Sequence, residues 1–352
     1  MRNTSLEQIV AGNFIKYENL APLINHAYKG SSATRINLFI DMYSCITGLY
    51  MGNYIMPKNY KTLTSCIINM CAHYRHFFRH YLNVETDIYI VMGNNIQTNN
   101  HVMMKGWNYG QEKRMKENEF VTRMIEDNVS LLGELCPYIP DCHFVLTSNY
   151  ESGSVIATII EQVADKIPNV IVSRDSYLFQ LPSMYPDTCV LRPKKFEGKD
   201  MSYAVGPFKD MYDIVMFWNI YNQKKSETEY IDPVNLPMLF ALNGCKDRCI
   251  KSLCRIDVAK RYIVNAVGCG AIKCSVDTLY KVNPNMEESV PRALMIQRYH
   301  AFDLEFQKSI YSSSYEWLIA SGNVTKSIKD PSAVKDINGQ YFYDCPLDLD
   351  RL

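Results

Sequence analysis

Three short apolar runs in the first half of the chain most constrain its fold. These runs are residues 36–40, 88–92 and 170–172. Each is rich in β-branched side chains and too short for a helix, so each predicts a strand buried on both faces. Segments with helical apolar spacing separate the runs, at residues 60–82, 117–135 and 155–167. This alternation predicts an α/β fold, a central mostly parallel sheet flanked by helices.

The chain divides into five regions by its pattern. They are an N-terminal extension (1–34), a sheet domain (35–193), a connecting segment (194–231), a helical region (232–320) and a C-terminal tail (321–352). In the helical region, residues 293–319 carry an apolar stripe that predicts helix core and includes Leu294, Ile296 and Phe302. In the sheet domain, ligands are expected beyond the carboxyl ends of the strands, where Asp41, Gly93 and Asp175 lie.

Composition excludes several classes of protein. The 37 Lys and Arg balance the 37 Asp and Glu, so binding to a polyanion would need a local basic patch. Hydrophobic residues make up 47% of the chain, which excludes a disordered protein. No stretch approaches the roughly 20 apolar residues of a membrane span, and the N-terminus lacks the apolar centre of a signal peptide. The 12 cysteines lack Cys-x-x-Cys spacing, which favours buried thiols in a reducing compartment.

Two segments in the middle of the chain carry a specific motif. Residues 149–158 read NYESGSVIAT before a predicted helix, and residues 170–181 read VIVSRDSYLFQL after it. Together they resemble the core of the five-prime exonuclease and flap-endonuclease superfamily, whose nuclease domain is PIN-like. There the first segment reads Gly-Tyr-Glu-Ala-Asp-Asp-Val-Ile-Ala-Thr and the second reads Ile-Val-Ser-Gly-Asp-Lys-Asp-Leu-Leu-Gln-Leu.

Other parts of the chain agree with this resemblance in order, over roughly residues 35–320. Residues 37–41 look like the family's first strand, which ends in a metal-binding Asp, here Asp41. Residues 105–114 resemble the arch that grips a single strand, which implies nucleic-acid contacts from Lys105, Tyr109, Lys113 and Arg114. Residues 239–250 resemble the start of a helix–three-turn–helix unit in degenerate form. Residues 252–257, which align with the family's run of glycines that approach duplex phosphates, contain no glycine.

The resemblance implies two Mg²⁺ ions, which need several carboxylate ligands. In this chain only Asp41, Glu151 and Asp175 remain of that set. The other positions within the sheet domain hold residues that are poor ligands for a hard cation: Met92, Gly153, Ser154 and Tyr177. We therefore expect a two-metal centre to be absent.

Two interpretations of the surviving acids stay open. Asp41, Glu151 and Asp175 could form a remnant catalytic site that binds at most one Mg²⁺ or Mn²⁺, or they could be strand-end acids satisfied by caps, lysine or arginine. Under the second interpretation, which we favour, no cofactor is bound, and Arg174 or Arg248 places a guanidinium where a metal would lie. The basic arch has the same ambiguity, between a nucleic-acid groove and a solvated loop or protein contact.

A pair of histidines is a further candidate metal site. His76 and His80 lie at i,i+4 spacing, but without a third ligand in the sequence a surface or packing role is favoured.

The sequence leads to one favoured function and two alternatives. The favoured function is a catalytically degenerate member of this nuclease group, used as a structural or interaction module with protein partners. An abundance of Asn, Tyr, Met, Lys and Ile indicates an AT-rich genome, as many bacteria, phages and large viruses have. A component of a phage or virus particle or of its assembly is then a natural use. The alternatives are a metal-dependent structure-specific nuclease and a DNA-binding protein that does not cleave. The expected location is the cytoplasm or a virion, with no membrane partner.

Overall fold

The structure is a computed structural model that describes the sheet domain and the helical region in separate stretches. The described residues are 15–16, 34–42, 44, 71–72, 74–76, 78–80, 83–92, 132, 136, 139–146, 152–163, 167–173, 175–185, 188–193, 201–205, 231–245, 250–268 and 272–305.

Seven strands of the described residues form one sheet, in the order β1-β7-β6-β5-β2-β3-β4. Its strands are β1 (Ile15–Lys16), β2 (Arg35–Asp41), β3 (Glu85–Met92), β4 (Cys142–Leu146), β5 (Asn169–Val172), β6 (Thr188–Pro193) and β7 (Met201–Val205). Five adjacent strands are parallel to one another: β6, β5, β2, β3 and β4. At one edge of the sheet, β7 pairs antiparallel with β6, and β1 pairs antiparallel with β7. The predicted α/β fold with a mostly parallel sheet is confirmed, and the three apolar runs lie in β2, β3 and β5.

The order of the parallel strands creates a switch point beside β2. The chain adds β3 and β4 on one side of β2, then returns to add β5 and β6 on the other side. Ile40 of β2 pairs with Val172 of β5, so the residues that follow them, Asp41 and Ser173, emerge side by side. Crevices at such switch points are the usual ligand sites of open α/β sheets.

Seven helices have bounds within the described residues. They are α1 (Ser152–Val163), α2 (Leu181–Met184), α3 (Leu236–Asn243), α4 (Ile256–Val267), α5 (Val276–Val282), α6 (Met286–Ser289) and α7 (Arg292–His300). A 3₁₀ turn precedes α2 at Ser176–Gln180, and another precedes α3 at Pro233–Asn235. The predicted helical region is confirmed as far as residue 305, where the described chain ends. Within the described residues, no helix is long and apolar enough to cross a membrane.

One apolar core joins the sheet to the helical region. It includes Phe39 of β2 and Ile171 of β5 together with Leu239 of α3 and Phe302 after α7, each almost fully buried. Every residue of α3 from Leu236 to Leu242 is buried, as expected for a helix that is apolar all round. The buried amide of Gln180 fastens the junction, since it donates to the Phe302 carbonyl (3.0 Å) and accepts from the Leu304 N–H (3.1 Å).

The predicted stripe in the last helix is wrong in one respect. Ile296, which the apolar pattern placed in the core, is 37% exposed. The buried side chains of α7 are Met295, Arg298 and Tyr299. The helix therefore presents to the core a face that contains an arginine.

Candidate functional site at the sheet switch point

Asp41 lies at the switch point and is only 2% exposed. Its Oδ1 accepts hydrogen bonds from the Ser152 hydroxyl (2.9 Å) and the Ser44 N–H (3.3 Å). Its Oδ2 accepts a short hydrogen bond from the Ser173 hydroxyl (2.6 Å). Three donors from three parts of the chain thus satisfy a carboxylate that burial would otherwise leave uncompensated.

Burial raises the pKa of Asp41 from 3.8 to about 6, and the nearby charge of Asp175 adds to the increase. The three hydrogen bonds act in the opposite direction, because they stabilise the charged form. The ionised and protonated forms of Asp41 therefore lie close in free energy near neutral pH.

Asp175 follows β5 and caps the 3₁₀ turn that begins at Ser176. Its carboxylate accepts a hydrogen bond from the Tyr177 N–H (3.0 Å), and its own N–H donates to the Ser173 hydroxyl (3.0 Å). The Ser173 hydroxyl thus links the two acids, since it also donates to Asp41. Asp175 is partly exposed, so it is the more accessible of the two acids.

A tyrosine ring fills the space beside the first turn of α1. Tyr177 is 1% exposed and packs against Gly153. A Cβ at Gly153 would lie 3.2 Å from two carbons of the Tyr177 ring and 2.9 Å from Leu178 Cδ2. A side chain at position 153 therefore requires Leu178 or Tyr177 to move, so the two residues that replace expected carboxylates fit each other.

The other two replaced positions are also buried. Met92 ends β3 and is 6% exposed, and its thioether is a poor ligand for a hard cation. Ser154 in the first turn of α1 is fully buried, and its hydroxyl has no hydrogen-bond partner within the described part of the chain. A carboxylate at either position would be a buried charge in need of compensation.

The described residues do not fit a two-metal centre. Among them, no group of three or more His, Cys, Asp or Glu side chains is placed to hold a metal ion. Glu151 lies outside the described residues, so the one-ion site of Asp41, Glu151 and Asp175 stays a prediction.

Several predicted contacts also fall outside the described residues. They are the arch residues Lys105, Tyr109, Lys113 and Arg114, and the two arginines proposed as counter-charges, Arg174 and Arg248. What the structure adds is the role of Ser152 and Ser173, which sequence reasoning missed. Ser152 occupies the position of the family's Ala, and that departure was the only signal of its role in the sequence.

The two histidines are placed on the surface of a helical segment. His76 and His80 are exposed, and their rings stack with centroids 5.8 Å apart. Stacked rings do not converge on a common ligand point, so the geometry favours the surface interpretation.

No protein-family model and no curated protein matches the chain. Solved structures do match it. One is the flap endonuclease of bacteriophage T5, crystallised as a pseudo-enzyme–product complex with DNA and metal ions. It aligns with a TM-score of 0.50 at 12% identity, over 85% of this chain and 99% of that chain.

A second match is the five-prime exonuclease of the same phage with bound zinc, with a TM-score of 0.51 at 12% identity over 84% of this chain and 98% of that chain. At this identity the likeness concerns the fold. The chain therefore has the PIN-like fold of the five-prime exonucleases and flap endonucleases, as the motif resemblance predicted.

Proposed function

We propose that this protein is a catalytically degenerate flap-endonuclease-like module that serves in assembly or structure through contacts with other proteins. The observation that carries the proposal is the packing of the Tyr177 ring against Gly153. These positions correspond to two of the carboxylates expected from the resemblance. An apolar ring there removes ligands and also occupies the space beside the helix start.

The electrostatics of Asp41 support the same conclusion. Two-metal cleavage of a phosphodiester needs enough anionic oxygen to balance two divalent cations. Both oxygens of Asp41 already accept hydrogen bonds from protein donors, so a metal would have to share this carboxylate with three donors. A carboxyl group whose pKa is raised to about 6 also gives a cation more competition from protons than an ordinary aspartate does.

A nuclease or a non-cleaving DNA-binding protein is the second candidate. It is favoured by the retention of Asp41 and Asp175 on either side of the Ser173 hydroxyl, at the sheet edge where ligands bind. The matched flap endonuclease was crystallised with DNA. Against it stands the zero net charge of the chain, which gives no long-range attraction to a polyanion.

A cleavage assay separates these candidates. The purified protein is incubated with five-prime flap DNA or single-stranded DNA and with Mg²⁺ or Mn²⁺, beside an active flap endonuclease as positive control. We expect no cleavage. Cleavage that is lost in Asp175→Asn and kept in Asp277→Asn, an exposed acid on α5, would contradict the proposal.

DNA retention is measured on the same samples by fluorescence anisotropy at low and high salt. Binding that weakens steeply with salt favours the DNA-binding candidate, because phosphate contacts release counterions. Absence of binding favours contacts with proteins. The particle role is tested separately by mass spectrometry of purified particles from the source of the sequence, in which the chain should be found at a fixed ratio to the main structural proteins.

A further inference from the structure

Arg298, near the end of α7, is the largest fully buried side chain of the described residues. It reaches away from its own helix to the turn that joins α3 to α4. Its Nε donates to the Ala241 carbonyl (2.5 Å), and one terminal nitrogen donates to the Lys251 carbonyl (2.7 Å). One guanidinium therefore bridges the last turn of α3 and the start of the next segment.

The geometry of the turn explains why Ala241 needs such a donor. A helix end leaves its last carbonyls without N–H partners. The Gly244 N–H donates to the Phe240 carbonyl (2.8 Å). The Leu253 and Cys254 N–H groups donate to the Leu242 carbonyl (2.9 and 3.3 Å). The N–H that would serve Ala241 in a longer helix belongs to Cys245, and it bonds to Ile250 (2.9 Å) instead. The Ala241 carbonyl receives its hydrogen bond from Arg298.

The turn is closed tightly enough to hold these carbonyls in place. Gly244 has φ +75°, and a Cβ there would lie 2.5 Å from the Ile250 oxygen and 2.6 Å from the Ser252 nitrogen. Cys245 and Ile250 exchange backbone hydrogen bonds across the turn. The carbonyls of Ala241 and Lys251 are thus fixed by the backbone, and they point to a common position at the negative end of α3.

We propose that the Ala241 and Lys251 carbonyls form a cation-binding cup and that the chain fills it with its own guanidinium, that of Arg298. The cup selects a planar cation with several donors, because two oxygens at different angles must be satisfied at once. The Arg298 guanidinium stays charged at neutral pH, since burial lowers its pKa only to about 10. This inference is independent of the proposed function.

Chemical rescue in the full-length chain tests the proposal. Arg298→Ala should lower the melting temperature by about 5–10 °C, because the buried Ala241 carbonyl and the partly buried Lys251 carbonyl lose their donor. Guanidinium chloride at about 20 mM, far below denaturing concentrations, should restore part of this loss in a saturable manner. Urea, which has the same shape without the charge, and NaCl at equal ionic strength should not. Wild type and Arg292→Ala, whose side chain lies on the exposed side of α7, should respond to none of the three additives.

Two results would overturn the proposal. One is an Arg298→Ala protein that melts like wild type, or that urea or NaCl rescues as well as guanidinium does. If Arg298→Ala fails to fold, the comparison of Arg298→Lys with Arg298→Met decides, since lysine keeps a cation and methionine keeps only the apolar stem. If the cup requires a cation, Arg298→Lys should melt at a higher temperature than Arg298→Met. The reverse order would show that the cup does not need a charge.

Discussion

Two buried charged side chains, Asp41 in the sheet domain and Arg298 in the helical region, are held by different kinds of hydrogen-bond partner. Asp41 accepts hydrogen bonds from two hydroxyls and one N–H, whereas Arg298 donates to two main-chain carbonyls. Burial raises the pKa of Asp41 to about 6 and lowers the pKa of Arg298 to about 10. Near neutral pH, Asp41 can therefore take up a proton at small cost, while Arg298 remains charged.

The switch point and the turn that joins α3 to α4 therefore differ in how a buried charge is satisfied. At the switch point, Asp41 is held by neutral donors and the Tyr177 ring packs against Gly153 beside it. In the α3–α4 turn, a charged side chain is built into the structure because the backbone leaves carbonyls that need it. We expect changes in the turn to cost more stability than changes at the switch point.

The largest expected loss concerns Gly244, which closes the turn around Arg298. Gly244 and Gly268 have nearly the same backbone conformation, with φ +75° and ψ 176° against φ +74° and ψ −166°. A Cβ at Gly244 collides with backbone atoms, whereas a Cβ at Gly268 meets nothing within 4 Å. Gly268→Ala should cost about 2 kcal/mol through strain alone, and Gly244→Ala about 4 kcal/mol.

Urea unfolding followed by circular dichroism measures both variants against wild type. Equal losses for the two glycines would mean that the turn relaxes around a methyl group. In that case the carbonyls beside Arg298 are not rigidly held, and the contrast with the switch point is weakened.

Particular residues show what the sequence could and could not reveal. The strands β2, β3 and β5 were predicted because their apolar runs are continuous, as burial on both faces requires. Strands β4 and β6 were not, since His143 and Arg192 interrupt their apolar pattern. The position of Asp41 at the end of a strand also followed from the pattern.

The partners of the buried charges could not be predicted. Ser152 and Ser173 lie 111 and 132 residues from Asp41 along the chain, so only the sheet order brings their hydroxyls to its carboxylate. Arg298 is a sharper case, because the apolar stripe predicts Ile296 in the core, whereas the structure buries Arg298 and exposes Ile296. The orientation of Arg298 is explained by a carbonyl of α3 and a carbonyl of the segment after α3, 57 and 47 residues away, which the pattern of α7 does not encode.

The second prediction concerns the pH dependence of stability, and it tests whether Asp41 titrates near neutral pH. The pKa of Asp41 is about 6 in the folded chain against an ordinary value of 3.8, so the folded state binds the proton more tightly. The contribution of Asp41 to stability is then complete below pH 4 and is lost as the pH rises through about 6. It amounts to up to about 3 kcal/mol.

Asp41→Asn should remove this decrease, because the amide has no proton to lose. The measurement is urea unfolding of wild type and variant between pH 4 and pH 7, with Asp277→Asn as the control for an exposed acid. If the free energy of unfolding changes with pH in the same way for wild type and Asp41→Asn, Asp41 keeps an ordinary pKa. Asp41 would then stay charged at neutral pH, as Arg298 does.

The smallest expected effect on stability tests whether the Tyr177 ring fills the space beside the first turn of α1. In a helix, Gly→Ala normally stabilises by about 1 kcal/mol. At Gly153 the added methyl would lie 2.9 Å from Leu178 Cδ2 and 3.2 Å from the Tyr177 ring, and such overpacking costs about 1–3 kcal/mol. We expect Gly153→Ala to destabilise the chain by about 1 kcal/mol, the sum of these two effects.

A double-mutant cycle with Tyr177→Leu isolates the ring. Without the ring, Gly153→Ala should become neutral or stabilising, so the two changes should couple by about 1 kcal/mol or more. Ser154→Ala is the matched control in the same helical turn: it is fully buried, its hydroxyl has no partner among the described residues, and its removal should cost nothing. If Gly153→Ala is equally harmless with and without the ring, the space beside α1 is open, and a carboxylate at position 153 would meet no steric barrier.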